Sequence, residues 1–198
     1  MKEKLQGLIT ALFPFVILLG IVLTPLGCGF FSSGFSDETV PKSWKNFRSA
    51  LGQFAIDYPS NWSGNHFTKG YHNDMEAIAL FTSDAAFPVV IIAQREMVSP
   101  SLDDVALWGE ERIMAINDNY NDKFELHDLE DVEINGMQAK TREYLMDLET
   151  VLPLKKKDIY IIHDNYGLII TFTSTAESYD NMIGIFDQMI SSFEFINS

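Results

Sequence analysis

Four side chains that could bind a metal ion lie within eleven residues of one another in the first half of the chain. They are His66, His72, Asp74 and Glu76. Imidazole nitrogens and carboxylate oxygens are ligands that Zn²⁺ and Mn²⁺ accept, and carboxylates also suit Ca²⁺. His66 and His72 are six positions apart, so an extended strand would place both on one face. The sequence therefore offers a candidate site for Zn²⁺, Mn²⁺ or Ca²⁺, with a solvated polar loop as the alternative interpretation.

Other residues indicate catalysis more weakly than these four indicate metal binding. His163 and Asp164 are neighbours and could form an acid–base pair, but they also open a run of turn-forming residues. The nucleophile motif G-x-S-x-G is absent, and none of the four histidines lies in H-E-x-x-H. Hydrolysis is thus the least favoured interpretation. The sequence predicts a protein that is not an enzyme and that needs no cofactor besides such a metal ion.

The balance of charges restricts the partners that the chain can have. The net charge is −14, and it becomes −15 when Lys2, Lys4 and Glu3 are removed with the first 27 residues. Nucleic acid is therefore excluded as a partner, because proteins bind it with lysine and arginine. The only basic run, KKK at residues 155–157, could dock an acidic partner or phosphate, but in an acidic protein such a run is more often a solvated strand end.

Cys28, the only cysteine, follows an apolar segment that two lysines precede. A cationic start, an apolar core at residues 8–22 and small residues before the cysteine are the parts of an export signal. The end of this segment resembles the lipobox of bacterial lipoproteins, with Gly27 before Cys28 as the lipid-attachment residue. An uncleaved membrane anchor is the alternative, since residues 5–26 are long enough to span a bilayer. Both interpretations place the rest of the chain outside the cytoplasm.

The chain is therefore predicted to have three parts. Residues 1–27 are a signal peptide or membrane anchor, residues 28–43 are a Gly- and Ser-containing tether, and residues 44–198 form one domain. With Cys28 modified, the domain has no thiol, so packing alone must stabilise it.

The pattern of apolar residues in the domain predicts an antiparallel sheet and two main helices. Strands are expected at residues 54–59, 77–82, 89–96, 124–134, 137–148, 154–163 and 167–174, with Asn135-Gly136 as a hairpin turn. A first helix is expected to begin after Ser101 and to end at about Asn117, and a second carries an apolar stripe that starts at Tyr179. The fold class is therefore α+β, with about six to eight strands.

This order of elements resembles the PsbP-like fold. The residues that carry the resemblance are FAIDYP at 54–59 with Trp62 three residues later, SLDD at 101–104, Asn135-Gly136, the strand at 166–173 and SSFEF at 191–195. The resemblance implies an α/β/α sandwich over about residues 44–197. It also implies non-catalytic binding to a larger partner, since proteins with this fold include an extrinsic photosystem subunit, a Ran-binding nuclear import factor and bacterial lipoproteins of unknown role.

Together these observations predict a lipoprotein of the cell envelope that is anchored in the membrane and faces away from the cytoplasm. Its expected function is that of a non-catalytic accessory or protein-binding module, with a protein partner at the membrane. A lipoprotein that binds a small ligand or a metal ion in a cleft between helix and sheet is the alternative.

Overall fold

A computed structural model describes residues 41–66, 76–83, 87–120, 123–147 and 152–196, and only the backbone of residues 76, 115–120 and 123. The predicted signal segment, Cys28 and most of the predicted tether lie outside these residues. The strands are β1 (Trp44–Ser49), β2 (Phe54–Pro59), β3 (Ser63–His66), β4 (Glu76–Thr82), β5 (Val89–Glu96), β6 (Lys123–Leu126), β7 (Glu130–Ile134), β8 (Met137–Asp147), β9 (Leu154–His163), β10 (Tyr166–Thr175) and β11 (Glu194–Phe195). The helices are α1 (Leu102–Tyr120) and α2 (Tyr179–Ser191). Within the described part of the chain, neither helix has the length and apolar character that crossing a membrane requires.

The strands form two antiparallel sheets. The larger has eight strands in the order β3-β4-β5-β10-β9-β8-β6, with β7 also paired to β8. The smaller has three strands in the order β1-β2-β11. The predicted meander is confirmed in β8, β9 and β10. The single strand expected at residues 124–134 is instead two strands, because the long β8 pairs with β7 along its first half and with β6 along its second half.

The large sheet is covered on both faces, which accounts for the continuous apolar run at the start of β5. This strand lies between β4 and β10, and Val89, Val90 and Ile92 are buried. A strand inside a covered sheet needs apolar side chains on both faces, so the pattern loses its alternation.

Residues on the two faces of β10 identify the two covering layers. Phe172 packs towards α2 and the small sheet, and its ring centroid lies 5.2 Å from that of Phe186. Ile169, on the opposite face, packs with Val105 and Trp108 of α1. The predicted α/β/α arrangement is therefore confirmed, and α2 shares its layer with the small sheet.

Helix α1 begins as the sequence indicates. The Ser101 hydroxyl accepts a hydrogen bond from the Asp104 backbone N–H at 3.2 Å, and the Asp104 carboxylate accepts one from the Ser101 N–H at 2.8 Å. This reciprocal capping satisfies donors that the first turn would leave unpaired, and the hydrogen bonds from Ser101 lower the pKa of Asp104. The expected end near Asn117 is wrong, because the helix continues through the polar residues to Tyr120.

The hairpin turn at Asn135-Gly136 also fastens the end of α2. Both residues have positive φ angles, 50° and 81°, as a two-residue turn between twisted strands requires. The Asn135 side-chain amide donates hydrogen bonds to the carbonyl oxygens of Ser191 at 3.0 Å and Phe193 at 2.7 Å. The turn therefore satisfies carbonyl groups at and after the helix C-terminus.

We expect Asn135→Gly to lower the free energy of unfolding by about 1 kcal/mol, because glycine keeps the positive φ but cannot bind the two carbonyl groups. Urea denaturation followed by tryptophan fluorescence measures the change, since Trp44, Trp62 and Trp108 all lie in the domain. The matched control is Asp164→Gly in the hairpin turn between β9 and β10, where residue 164 is exposed and also has a positive φ angle. Equal losses in the two variants would contradict a role for the amide of Asn135.

Candidate functional site

The predicted metal ligands are only partly described by the structure. His66 is the last residue of β3, is exposed, and stacks its ring on Phe47 with 4.2 Å between centroids. His72 and Asp74 lie outside the described residues, as does the side chain of Glu76 at the start of β4. In the described part of the chain, no three His, Cys, Asp or Glu side chains come close enough to hold a metal ion. The metal site of residues 66–76 therefore stays a prediction.

His163 and Asp164 lie where β9 turns into β10. The Nε2 of His163 and the Oδ2 of Asp164 are 3.8 Å apart, and Asp164 has a φ of 52°. The imidazole stacks on Phe195 of β11, with 3.8 Å between ring centroids and 8° between the planes. This contact attaches the C-terminal strand to the large sheet. The arrangement is therefore that of a hairpin turn packed against β11.

A layer of charged side chains lies between the large sheet and α1. We call it the charged layer, and it consists of Glu110, Arg112, Arg142, Lys156 and Asp158. Arg142 and Asp158 are direct partners across β8 and β9, and the Arg142 Nη1 lies 3.0 Å from the Glu110 Oε2. The charged layer thus connects both central strands to the helix above them.

Asp158 is the most deeply buried carboxylate of this layer, with 2% of its surface exposed. The Tyr160 hydroxyl donates a hydrogen bond to its Oδ2 at 3.3 Å. Burial raises the pKa of Asp158, although the positive charge of Arg112 opposes this effect. Burial likewise raises the pKa of Tyr160 above its ordinary value, and the Asp158 charge adds to the effect.

Lys156 is a second residue of the charged layer whose charged form is disfavoured by burial. Its ammonium lies 6.0 Å from the centroid of the Tyr144 ring, its cross-strand partner. Burial lowers the pKa of Lys156 to about 8, despite the favourable charge of Asp158. Burial also raises the pKa of Tyr144 well above its ordinary value. The charged layer therefore holds ionisable groups in an environment that disfavours their charged forms.

The other two lysines of the basic run point to the opposite face of the sheet. Lys155 lies 3.1 Å from a Glu143 carboxylate oxygen, and Lys157 lies 3.2 Å from Asp187 of α2. The Tyr179 hydroxyl also donates to Glu143, at 2.9 Å. Burial would raise the pKa of Glu143, but the hydrogen bonds from Lys155 and Tyr179 outweigh it and lower the pKa. The interpretation of this run as a solvated strand end is wrong, because its lysines alternate between the two covering layers.

No model of a protein family matches the sequence, and no curated protein is similar enough to match it. A search of solved structures finds the solution structure of cyanobacterial PsbP (CyanoP) from Synechocystis sp. PCC 6803, at 18% identity and a TM-score of 0.63. The match covers 87% of this chain and 99% of that one. The chain has the PsbP-like fold.

The search finds two further structures at lower scores. A crystal structure from Bacteroides thetaiotaomicron VPI-5482 matches at 18% identity and a TM-score of 0.51, over 78% of this chain and 49% of that one. LpqN, described as involved in cell envelope biogenesis of Mycobacterium tuberculosis, matches at 8% identity and a TM-score of 0.49, over 78% of this chain and 91% of that one. At 18% identity, the similarity to CyanoP shows the fold and leaves the function to the residues of this chain.

The charged layer of the PsbP-like domain is not among the sequence predictions, although β9 contains a signal for it. Along this strand Asp158 alternates with Ile159 and Ile161, so its side chain must share a face with Tyr160. A carboxylate on the same face as an aromatic ring, in the middle of a central strand, indicates a buried charge rather than a solvated one.

Proposed function

We propose that the chain is a membrane-tethered, extracytoplasmic lipoprotein whose PsbP-like domain acts as a non-catalytic accessory module that binds a protein at the membrane. The N-terminal segment that ends at Cys28 supports the tethering part. The resemblance to the PsbP-like fold, whose members bind larger partners, supports the accessory part.

The observation that carries the proposal is that partly buried cations of the large sheet form ion pairs with the elements around it. Lys140 binds Asp103 of α1 at 3.2 Å and Asp131 of β7 at 2.8 Å, Arg142 binds Glu110 of α1, and Lys157 binds Asp187 of α2. Each of these groups connects the large sheet to a neighbouring element. Groups that are committed to such contacts stabilise a rigid body, which suits a protein that presents a surface rather than one that performs a reaction.

The point at which the chain enters the domain agrees with a tether. Ser43 accepts a hydrogen bond from the Ser60 N–H at 3.0 Å, and Trp44 pairs with Pro59 at the start of β1. Strand β1 lies in the layer opposite α1, because Phe47 packs in the same cluster as α2. Among the described residues, a tether attached here joins the domain on the side opposite α1.

We expect Cys28→Ala to abolish lipid attachment completely, because the thiol is the group that accepts the acyl chains. Intact-mass measurement of the full chain, extracted from membranes, is expected to show a wild-type protein that begins at Cys28 and carries added acyl mass. The variant is expected to keep residues 1–27 and to carry no acyl mass.

Ser33→Ala is the matched control, because it removes one polar atom a few residues further along the predicted tether. It is expected to leave the acylated mass unchanged. A wild-type chain that retains Met1 and has no acyl mass would contradict lipidation and would identify residues 5–26 as a membrane-spanning anchor instead.

A further inference from the structure

The outer face of α1 exposes apolar side chains in a regular pattern. Leu107 is 57% exposed and Met114 is 41% exposed, and they are two helical turns apart. The exposed carboxylates of Asp103 and Glu111 belong to the same stripe, which follows helical spacing. In the described residues, six large apolar side chains are exposed, and only Leu107 and Met114 share an element. Large apolar side chains grouped on one solvent face are typical of an interaction surface.

Carboxylates outnumber cations around this apolar pair. On the same side of the large sheet, Asp131 and Glu133 of β7 are exposed next to the N-terminal half of α1, since Lys140 joins Asp131 to Asp103. We call the whole surface the acidic–apolar face; its residues are Asp103, Asp104, Leu107, Glu111, Met114, Asp131 and Glu133. Among the cations on this side, Lys140 and Arg142 have only 18% and 13% of their side chains exposed, and the partly buried Arg95 and Arg112 lie over the ring of Trp108. The face is therefore negative where it meets solvent.

The acidic–apolar face also lies away from the point at which the chain enters the domain. The first described strand, β1, lies in the layer opposite α1, so a protein could contact α1 without contacting that entry point. Anionic lipid headgroups would be repelled by the carboxylates, and so would the same face of a second copy. The charges that complement this face belong to a basic partner.

We propose that the acidic–apolar face binds a cationic protein segment whose apolar side chains contact Leu107 and Met114, on either side of Glu111. The inference rests on the proposed function and specifies the chemistry of its partner. Apolar contact at Leu107 and Met114 supplies binding energy, while lysine and arginine opposite the carboxylates steer the segment and set its orientation. An amphipathic helix with basic flanks has this chemistry, with its apolar residues spaced to meet two positions that are two turns apart.

The test uses the full chain in its own membranes, with a photo-cross-linking amino acid in place of Leu107 or Met114. Control positions are Leu152 and Asn181, which are exposed on other parts of the domain. Mass spectrometry of the cross-linked peptides identifies the contacted segment. We expect cross-links from positions 107 and 114 to a segment with a net positive charge, and a weaker yield when salt rises from about 50 to about 300 mM.

Charge reversal supplies the second measurement. Glu111→Lys with Glu133→Lys is expected to reduce the cross-linking yield at least tenfold, on the order expected for reversing two charges of the binding face. Glu177→Lys with Glu194→Lys changes the net charge equally at exposed sites elsewhere and is expected to leave the yield unchanged. Equal yields from the two double variants would overturn the proposal.

The remaining outcomes separate the inference from the proposed function. Cross-links from positions 152 or 181 alone would overturn the inference and leave an accessory module with another binding face. Cross-links from positions 107 and 114 to an acidic or neutral segment, to lipid or to a second copy of this chain would also overturn the inference. A failure of all four positions to contact any protein would count against the inference and the proposed function together.

Discussion

Gly109→Ala is expected to lower the free energy of unfolding of the PsbP-like domain by about 2 kcal/mol, although alanine favours a helix more than glycine does. A Cβ at position 109 would lie 2.5 Å from Cε1 and 3.0 Å from the hydroxyl oxygen of Tyr160. Real Cβ atoms do not come this close to a ring carbon, so the helix or the ring would have to move. Tyr160 cannot move easily, because it is fully buried in the central strand β9 and its hydroxyl binds Asp158.

The second helix provides the matched control for this prediction. Gly184 lies in α2, and a Cβ there would have no atom within 4 Å. Gly184→Ala is therefore expected to raise the free energy of unfolding by about 0.5–1 kcal/mol, through helix propensity and the lower entropy of the unfolded chain. Urea denaturation of both variants, followed by tryptophan fluorescence, gives the comparison. Stabilisation of similar size in both would contradict the close packing of α1 on Tyr160.

Lys156→Met is expected to stabilise the domain by on the order of 2 kcal/mol at neutral pH and to remove a dependence of stability on pH. Burial lowers the pKa of Lys156 from 10.5 to about 8 in the folded state. Methionine fills a similar volume without a charge, and replacing buried ionic groups by apolar ones is often neutral or stabilising. The loss of a favourable partner for Asp158 reduces the gain.

The pH dependence has a definite sign. Between pH 8 and 10.5 the unfolded chain binds more protons at Lys156 than the folded chain does. The stability of the wild-type domain should therefore rise with pH in this range, by roughly 2 kcal/mol between pH 7 and 9.5. Measurements should stop near that upper limit, because the raised pKa values of Tyr144, Tyr160 and Tyr179 make stability fall once tyrosines ionise in the unfolded chain.

Lys45→Met is the control for this experiment, because Lys45 is exposed on β1 and the change removes the same charge. Its profile of unfolding free energy against pH should keep the slope of the wild type. A flat wild-type profile between pH 7 and 9.5, or a Lys156→Met variant that keeps the rise, would show that Lys156 is not buried as a charge.

The metal candidates and the charged layer differ in how their residues are distributed along the chain. The metal candidates at residues 66–76 are close together in sequence, and of these only His66 has a described side chain, which packs on Phe47. The charged layer combines residues of α1, β8 and β9 that span positions 110 to 158. Proximity in sequence could suggest the first set, but only strand pairing and helix packing could bring the second set together.

Local patterns in the sequence determined the features that depend on neighbouring residues. Asn135-Gly136 specified a hairpin through its positive φ angles, Ser101 with Asp104 specified the start of α1, and the apolar stripe specified α2. The prediction that α1 ends near Asn117 is wrong. The polar residues there weaken a helix only slightly, and α1 continues through them to Tyr120.

Tertiary structure alone decided how these elements combine. The three lysines at residues 155–157 are identical in type, so the local sequence does not indicate which of them faces which layer. The pleat of β9 directs Lys156 to the α1 face of the sheet and its two neighbours to the α2 face. The division into two sheets also follows from long-range pairing, because β11 joins β2 across more than a hundred residues of chain. Contacts of this kind depend on which apolar faces bury one another. That choice minimises exposed apolar surface over the whole domain, and no short stretch of sequence encodes it.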